Sequence, residues 1–268
     1  MLAPGGEFES DSPAARLASR SLALYPEFVR ELEKESGLPI DFRRCGAIDF
    51  SGGTRSIPAT YEGRPARFFP DDAVVDPRDV TRALIQICRN RGIVLRENEP
   101  VNLVGHDGRS VRTNEGTYED EGVLVAAGAW SGMLPGLQHP TPVRGHLVAW
   151  RLRPGVLDPI LREGHTYVMQ RSSGLLIAGS TSERVGFDRS IDPAAVADIA
   201  ARARALFSQI PDRPPDEVWN GFRPWIGDDV PPLIGRVAGT HVWTAYGHYR
   251  NGILMAPETA RMIAEDVS

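Results

Sequence analysis

The sequence is poor in cysteine, in basic charge and in long apolar runs, and each shortage narrows the kind of protein that it encodes. Only two cysteines occur among 268 residues, Cys45 and Cys88, and they fit reduced thiols in a cytosolic setting. The net charge of −5 leaves no basic footprint, so we expect neither nucleic acid nor an anionic membrane as a partner. No apolar run approaches the ~20 residues that cross a bilayer, and the acidic N-terminus lacks the pattern of a signal peptide. We therefore expect a cytoplasmic protein with no membrane span.

The motifs of several common enzyme chemistries are also missing. The histidines show neither HxxxH nor HExxH spacing and neither cysteine has a CxxC partner, which argues against a metal site. No GxSxG nucleophile elbow and no GxxxxGKS/T phosphate loop occurs. The dinucleotide-binding pattern GxGxxG is absent from the sequence as well.

The pattern of helix and strand signals indicates an α+β chain that divides into two lobes. Helices are predicted to start at Asp11-Ser12-Pro13, Asp76-Pro77 and Asp192-Pro193, where a capping side chain precedes a proline suited to the first helical position. Apolar runs predict strands at 93–95, 101–104, 110–113, 122–126, 143–152, 166–170 and 175–178. The strands at 101–104, 110–113 and 122–126 are expected to form a small β-meander. Helix–strand units are thus expected at both ends, with antiparallel strands between them.

Residues 122–132 and 219–235 are two candidates for binding. The first, GVLVAAGAWSG, ends in small residues that leave room for a flat ligand, although the pattern alone favours a buried strand with a tight turn. In the second, Arg223 lies between Phe222 and Pro224, an apolar setting in which an unpaired guanidinium is unfavourable. An anionic partner is therefore expected, and the pattern alone favours a protein carboxylate over a ligand.

The third candidate is the segment 241–268, where an apolar strand, a loop and a helix follow one another. Gly247 and Gly252 bracket the loop residues His248-Tyr249-Arg250-Asn251. Backbone N–H groups at a helix N-terminus favour an anion or an electron-rich carbonyl. An ordinary surface corner between strand and helix is the alternative.

In this order, these stretches resemble the D-amino-acid-oxidase-type FAD-dependent flavoenzymes, and within them the glycine oxidases of thiamine biosynthesis. The residues that carry the resemblance are MLAPGGEFESDSP, VDPRDVTRAL, VLVAAGAWSG, PVRGH, GSTSERVGFD, WNGFRP and GHYRNGILMAPETA. The resemblance implies a two-lobe fold with non-covalent FAD. Residues 1–44, 71–140 and 223–268 would form a partial Rossmann-like FAD lobe, and residues 45–70 and 141–222 a substrate lobe built on an antiparallel sheet.

The resemblance also implies a reaction and the residues that carry it out. Hydride would pass from the α-carbon of glycine or a small amine to the flavin, giving an imine, then glyoxylate and ammonia, with oxygen forming hydrogen peroxide. Arg223 would clamp the substrate carboxylate, Arg250 would lie beside substrate and flavin, and Tyr167 and Ser182 would complete the substrate site. The implied cofactor-binding residues are Met1, Val101, Ala127, Gly128, Ala129, Trp130, His248, Tyr249, Arg250, Asn251, Gly252, Ile253 and Leu254.

Three departures from the family pattern shape what we expect. Ser182 replaces a larger apolar residue, and Trp225-Ile226 replaces the Gly-Thr that usually follows GFRP. Family members begin with a strand, a GxGxxG turn, a helix and an acidic residue for the ribose, whereas Met1-Leu2 aligns inside that pattern. The Rossmann-like lobe is therefore expected to be incomplete, with exposed sheet edges that favour association into a homo-oligomer.

Two alternatives to a glycine oxidase remain open from the sequence. A D-amino-acid dehydrogenase or sarcosine-oxidase-like enzyme would use the same scaffold, with an electron acceptor other than oxygen in the first case. Covalent flavin attachment through a late cysteine is excluded, because no cysteine follows Cys88. The second alternative is a non-catalytic chain that cannot hold FAD.

Overall fold

The computed structural model describes residues 1–8, 12–51, 56–133, 137–228 and 230–267, which form five α-helices and sixteen strands. The helices are α1 (Pro4–Glu7), α2 (Pro13–Ser36), α3 (Pro77–Asn90), α4 (Pro193–Leu206) and α5 (Gly252–Val267). The first eight strands are β1 (Phe42–Arg44), β2 (Ala47–Asp49), β3 (Ile57–Tyr61), β4 (Arg64–Phe69), β5 (Ala73–Val75), β6 (Val101–Val104), β7 (Ser110–Thr113) and β8 (Thr117–Glu119). The remaining strands are β9 (Val123–Val125), β10 (Thr141–Arg151), β11 (Ile160–Glu163), β12 (Thr166–Gln170), β13 (Leu175–Gly179), β14 (Glu217–Trp225), β15 (Leu233–Arg236) and β16 (Val242–Tyr246).

An eight-stranded sheet dominates the described fold, in the order β14-β10-β13-β12-β11-β2-β4-β3. Its neighbours pair antiparallel, except that β11 and β2 are parallel. α4 packs on one face of the sheet and buries Ile199 and Leu206 against the indole of Trp150, which is fully enclosed. The strands of this sheet come from both segments that we assigned to a substrate lobe, and β14 extends beyond the predicted boundary to Trp225. The division of the chain into two lobes stays a prediction.

The predicted helix starts are confirmed by the caps that the structure contains. Ser12 Oγ accepts a hydrogen bond from the Ala15 N–H at 3.1 Å, and carboxylate oxygens of Asp76 and Asp192 accept the N–H two residues on at 2.8 Å. Gly37 ends α2 with a φ of 72°, a left-handed conformation that glycine adopts without strain. Asp11, which we placed with the first cap, lies outside the described residues.

One predicted strand is wrong, and another pairs with a different partner from the one expected. Residues 93–95 form no strand, and Val94 is 73% exposed. The meander of β6 and β7 is completed by β8, and not by residues 122–126. Those residues instead contribute β9, which pairs parallel with β16 and buries Val125 against Val242 and Tyr246.

The pairing of β9 with β16 places the loop before α5 at the edge of the large sheet. Gly247 turns the chain at a φ of 87°, and a Cβ there would approach Ile226 Cδ1 to 2.6 Å. A 3₁₀ turn, Tyr249–Asn251, then leads directly into α5. The Tyr25 hydroxyl of α2 donates to the Ile253 carbonyl and fixes this end of the helix. Among the described helices, none is long and apolar enough to cross a membrane.

Candidate active site

A cavity of about 270 Å³ opens where α1, strands β12–β14 and the start of α5 meet. Its lining brings together residues that are far apart in the sequence. Three of the four predicted substrate-site residues line it: Tyr167, Arg223 and Arg250. Glu7 and Arg171, which the sequence did not indicate, line it as well.

Arg223 extends from β14 into this cavity and is held by neutral oxygens only. Its Nη1 donates to the Thr181 carbonyl at 2.9 Å, and its Nη2 donates to Ser180 Oγ at 3.0 Å. Within the part of the chain that the structure describes, no carboxylate forms a salt bridge with Arg223, so the sequence-based preference for a protein ion pair is wrong. Burial, and after it the charge of Arg250, lowers the pKa of this guanidinium, which stays cationic because arginine does not deprotonate in proteins. The cavity therefore contains a guanidinium that no carboxylate of the described residues contacts within salt-bridge distance.

Arg250 approaches the cavity from the opposite side, on the 3₁₀ turn before α5. Its Nη2 lies 3.5 Å from Glu7 Oε1, at the end of α1. Both side chains are largely shielded, with 28% and 19% of their surfaces exposed. Arg250 therefore has a protein counter-charge, and Arg223 is the arginine available to an anionic ligand.

Tyr167 lines the cavity together with the two arginines, and its neighbour across the sheet leaves room for its ring because it has no side chain. Tyr167 pairs with Gly179 in the β12–β13 register, and a Cβ at Gly179 would approach the Tyr167 hydroxyl to 2.8 Å. Burial raises the pKa of the phenol, while the charges of Arg223, Arg250 and Arg171 act in the opposite direction. At neutral pH the phenol is protonated and can donate a hydrogen bond into the cavity.

The loop that holds Arg223 is anchored by an ion network around the buried side chains of Arg144 and His146, which sequence reasoning missed. Arg144 Nη1 and Nε bond Asp188 Oδ2 and Glu183 Oε2 at 2.8 and 2.9 Å, and His146 Nδ1 lies 2.9 Å from Glu183 Oε1. His146 Nε2 accepts the Asp192 N–H at 3.3 Å, which leaves the ring proton on Nδ1 for Glu183. The basic residues in PVRGH and the acidic residues in GSTSERVGFD could have indicated this network, because buried charges need partners of opposite sign.

Ser182, the fourth predicted substrate residue, lies outside the 270 Å³ cavity. It is exposed, its Oγ lies 3.1 Å from the Tyr249 hydroxyl, and it lines a neighbouring open depression with Arg250. Direct contact between Ser182 and a substrate stays a prediction.

A second space, an open apolar groove of about 810 Å³, adjoins the cavity at the start of α5. Arg250 and Ile253 line both spaces. Small residues shape much of the groove, among them Ala126, Gly128 and Gly252, and a Cβ at Gly128 would meet no atom within 4 Å. The groove follows α5 from Gly252 to Val267. Its end at the helix N-terminus suits a flat ring system that gains negative charge.

The predicted cofactor residues divide between these spaces and their surroundings. Gly128, His248, Tyr249, Arg250, Gly252 and Ile253 line the groove, while Met1 and Asn251 line the smaller cavity. Five others line neither space: Val101, Ala127, Ala129, Trp130 and Leu254. Leu254 is buried against α2, and Trp130 stacks on Phe187 at a ring distance of 5.2 Å. Contact between these five residues and a cofactor stays a prediction.

The family model described as DAO, FAD dependent oxidoreductase, matches residues 1–266. The chain belongs to this FAD-dependent oxidoreductase family. The match confirms the resemblance drawn from the sequence, the enzyme class and FAD as the family's cofactor. The crystal structure of glycine oxidase from Geobacillus kaustophilus superposes with a TM-score of 0.91 at 27% identity, covering 99% of this chain and 82% of that one. The mixed fold with an antiparallel sheet is thereby confirmed.

Two curated relatives show which named proteins the chain is similar to. The bifunctional protein ThiO/ThiG of Trichormus variabilis is 32% identical over 299 aligned residues, which cover 99% of this chain and 46% of the relative. The glycine oxidase of Geobacillus kaustophilus is 28% identical, with 99% of this chain and 80% of the relative covered. The chain therefore spans about half the length of the bifunctional relatives and most of the glycine oxidase.

FAD fits the described residues at its flavin end. The groove offers small residues, the N-terminus of α5 and the half-buried ring of His248, whose Nε2 lies 3.0 Å from Thr259 Oγ1. Burial lowers the pKa of His248 to about 4, so the imidazole is neutral at physiological pH and adds no charge beside the ring. Val101, which the resemblance implied as a cofactor residue, starts β6 in the small separate sheet and is 41% exposed.

Gly145 provides a test of how this family member positions Arg223. Gly145 pairs with Gly221 across β10 and β14, and a Cβ built on Gly145 would overlap the Arg223 guanidinium. Gly145→Ala is expected to displace the flexible guanidinium from the cavity, which should raise KM for a substrate held by Arg223 by about tenfold or more. Accommodating the added methyl group should lower the free energy of unfolding by about 1–3 kcal/mol.

Gly221→Ala is the matched control for that variant. A Cβ at Gly221 meets no atom within 4 Å, on the partner strand at the same register. Steady-state kinetics and thermal melting of both variants make the comparison. Equal KM values for the two variants would contradict the role assigned to Gly145.

Proposed function

We propose that the protein catalyses the FAD-dependent oxidative deamination of glycine or a closely related small amino acid, with imine, then glyoxylate and ammonia, as products. The observation that carries the proposal is the Arg223 guanidinium, which faces a small cavity and has no carboxylate partner among the described residues. A buried cation of this kind is stabilised when a ligand carboxylate occupies the cavity.

The residues of the cavity orient the substrate. Arg223 binds the carboxylate through the planar fork of its guanidinium, and the Tyr167 phenol donates to the carboxylate or to the amine nitrogen. The carboxylate of Glu7 is paired with Arg250. We propose that the substrate amine enters in its neutral form, so that no protein base is needed and the chain acts by orientation and electrostatics.

We also propose that the groove beside the cavity binds the cofactor. Gly128, His248, Tyr249, Gly252 and Ile253 would hold the flavin end of FAD, without a covalent bond. When bound there, FAD supplies the acceptor for the two electrons that leave the α-carbon. The N-terminus of α5 would stabilise negative charge on the same side, because the helix dipole is positive at that end.

The pathway, the cellular location, the electron acceptor and the association of chains are also proposals. The names of the relatives support a link to thiamine biosynthesis. The free cysteines, Cys45 and Cys88, support a cytoplasmic location, because thiols stay reduced there. Oxygen as the acceptor and association with a second copy of the chain are part of the same proposal.

A comparison of electron acceptors tests the proposed reaction. Purified protein supplied with FAD is expected to release peroxide with glycine at a rate that matches glyoxylate formation. Sarcosine and D-alanine serve as comparison substrates. Glycine oxidation that proceeds with a dye but yields no peroxide would replace the oxidase by a dehydrogenase, and no oxidation of any of the three amines would contradict the proposed reaction.

A further inference from the structure

Arg171 is the second buried arginine of the cavity that lacks a hydrogen-bonded carboxylate. Its side chain is 5% exposed and lines the same 270 Å³ space as Arg223. Its Nε and Nη1 are buried and have no hydrogen-bond partner within the part of the chain that the structure describes. Guanidinium N–H groups that are buried without a partner are unfavourable, and they mark a place that a ligand acceptor can fill.

The acids nearest to Arg171 form no hydrogen bond with its guanidinium, although Asp76 lies within salt-bridge distance. Asp76 Oδ2 lies 3.9 Å from Arg171 Nε, beyond hydrogen-bond reach, and Asp76 Oδ1 caps α3 through the Arg78 N–H at 2.8 Å. Both carboxylate oxygens of Asp41 accept bonds from Ser172, at 2.6 and 2.8 Å. Burial lowers the pKa of Arg171, against the opposing charges of Asp76 and Asp41. Protein groups therefore neutralise this cation only in part.

The main chain holds Arg171 in a defined position at the end of β12. Its N–H donates to the Leu175 carbonyl and its carbonyl accepts from the Gly174 N–H, each at 2.9 Å, which closes the hairpin between β12 and β13. Tyr167, four residues earlier, lies within electrostatic reach of Arg171, Arg223 and Arg250. Arg250 and Arg171 each have a carboxylate within salt-bridge distance, Glu7 at 3.5 Å and Asp76 at 3.9 Å. Because Nε and Nη1 of Arg171 are buried without a hydrogen-bond partner among the described residues, Arg171 joins Arg223 as a guanidinium for which a ligand can supply acceptors.

We propose that Arg171 binds a second carboxylate of the substrate, so that the enzyme prefers amino acids with an additional carboxylate on the side chain or on the nitrogen substituent. The inference rests on the proposed function in one respect, since it names a further group of the same substrate. Arg223 binds the carboxylate next to the reacting carbon, and Arg171 binds the one at the far end of the cavity. Such a pair of arginines also sets the orientation of the substrate, because each end is fixed by a separate charge.

Binding of a matched pair of non-oxidisable probes tests the proposal without turnover. Diglycolate carries two carboxylates joined through an ether, and diglycolamate differs only in that one carboxylate is an amide. We expect titration calorimetry on the full chain supplied with FAD to give a Kd for diglycolate at least about tenfold lower than for diglycolamate. Equal affinity of the two probes for the native chain would overturn the proposal by itself.

Variants assign the preference to Arg171. Arg171→Gln is expected to reduce the ratio of the two Kd values to within about twofold, and Arg171→Lys, which keeps a cation, to retain part of it. A ratio that persists in a folded Arg171→Gln protein would also overturn the proposal. If Arg171→Gln does not fold, the Arg171→Lys ratio is the deciding value, and a ratio equal to the native one would count against Arg171.

The same probes separate this inference from the proposed function. A preference for diglycolate that depends on Arg171, in a protein that oxidises neither glycine nor N-carboxymethylglycine, would support the second anion site and reject the oxidase. Oxidation of glycine together with equal affinity for the two probes would support the oxidase and reject the second anion site.

Discussion

Replacing Arg223 by alanine is expected to raise the KM for glycine by about 30-fold to several-thousand-fold. The range corresponds to the ~2–5 kcal/mol that a charged, hydrogen-bonded contact contributes when it is buried. Arg223 is the arginine beside Tyr167 that no described carboxylate neutralises, so the substrate carboxylate loses its main partner in this variant. Steady-state kinetics with glycine measure the effect.

Two companion variants make the result specific to the Arg223 guanidinium. Arg223→Lys keeps the charge but loses the planar fork, so it should fall between native protein and Arg223→Ala. Arg112→Ala removes an exposed arginine from β7, in the small sheet outside the cavity, and should leave KM within about twofold. An unchanged KM in Arg223→Ala would refute the role of this residue as the carboxylate clamp.

Arg162→Leu is expected to lower the free energy of unfolding by about 3–5 kcal/mol, because it leaves two buried carboxylates without their cation. Arg162 Nε and Nη1 donate to Asp49 and Asp72 at 3.1 and 3.0 Å, and all three side chains are at most 10% exposed. Denaturant melts at neutral pH measure the loss. Arg64→Leu in β4 is the control, since its pair with Glu163 is 45–49% exposed and should contribute under about 1 kcal/mol.

The dependence on pH distinguishes a lost ion pair from lost packing at Arg162. Burial raises the pKa of Asp72 to about 6, while Arg162 acts to lower it. Without Arg162 the folded pKa rises further above the unfolded value of about 3.9, so the folded state binds the proton more tightly. The stability loss is therefore expected to shrink as pH falls from 8 to 5. A loss that is the same at both pH values would contradict the electrostatic explanation.

Local rules predicted much of the fold, and particular residues explain where they failed. Ser12, Asp76 and Asp192 start helices because capping acts over two or three residues, a range that the sequence displays directly. Residues 93–95 and 122–126 were misassigned because an apolar run does not specify its partner strand. The partners of a strand are fixed by tertiary pairing, as β9 illustrates by pairing with β16 more than a hundred residues later.

The candidate site was predictable where a motif carried it and hidden where tertiary packing created it. Arg223 and Arg250 belong to GFRP and HYRNG, so the resemblance identified them before any contact was known. Arg171 and Glu7 lie in unremarkable local sequence, and only the fold brings them into the cavity. The role of Gly145 could not be predicted either, because the space that its missing side chain leaves is filled by Arg223 only after β10 and β14 pair.

The most direct test of the proposed function is the visible absorbance spectrum of the purified chain after incubation with FAD and gel filtration. We expect a retained flavin spectrum, perturbed by the protein, that bleaches anaerobically on addition of glycine. Bleaching should fail in Arg223→Ala at the glycine concentration that suffices for the native chain. A chain that emerges colourless, or that retains flavin which no small amino acid bleaches, would contradict the proposal that these residues form a working oxidase site.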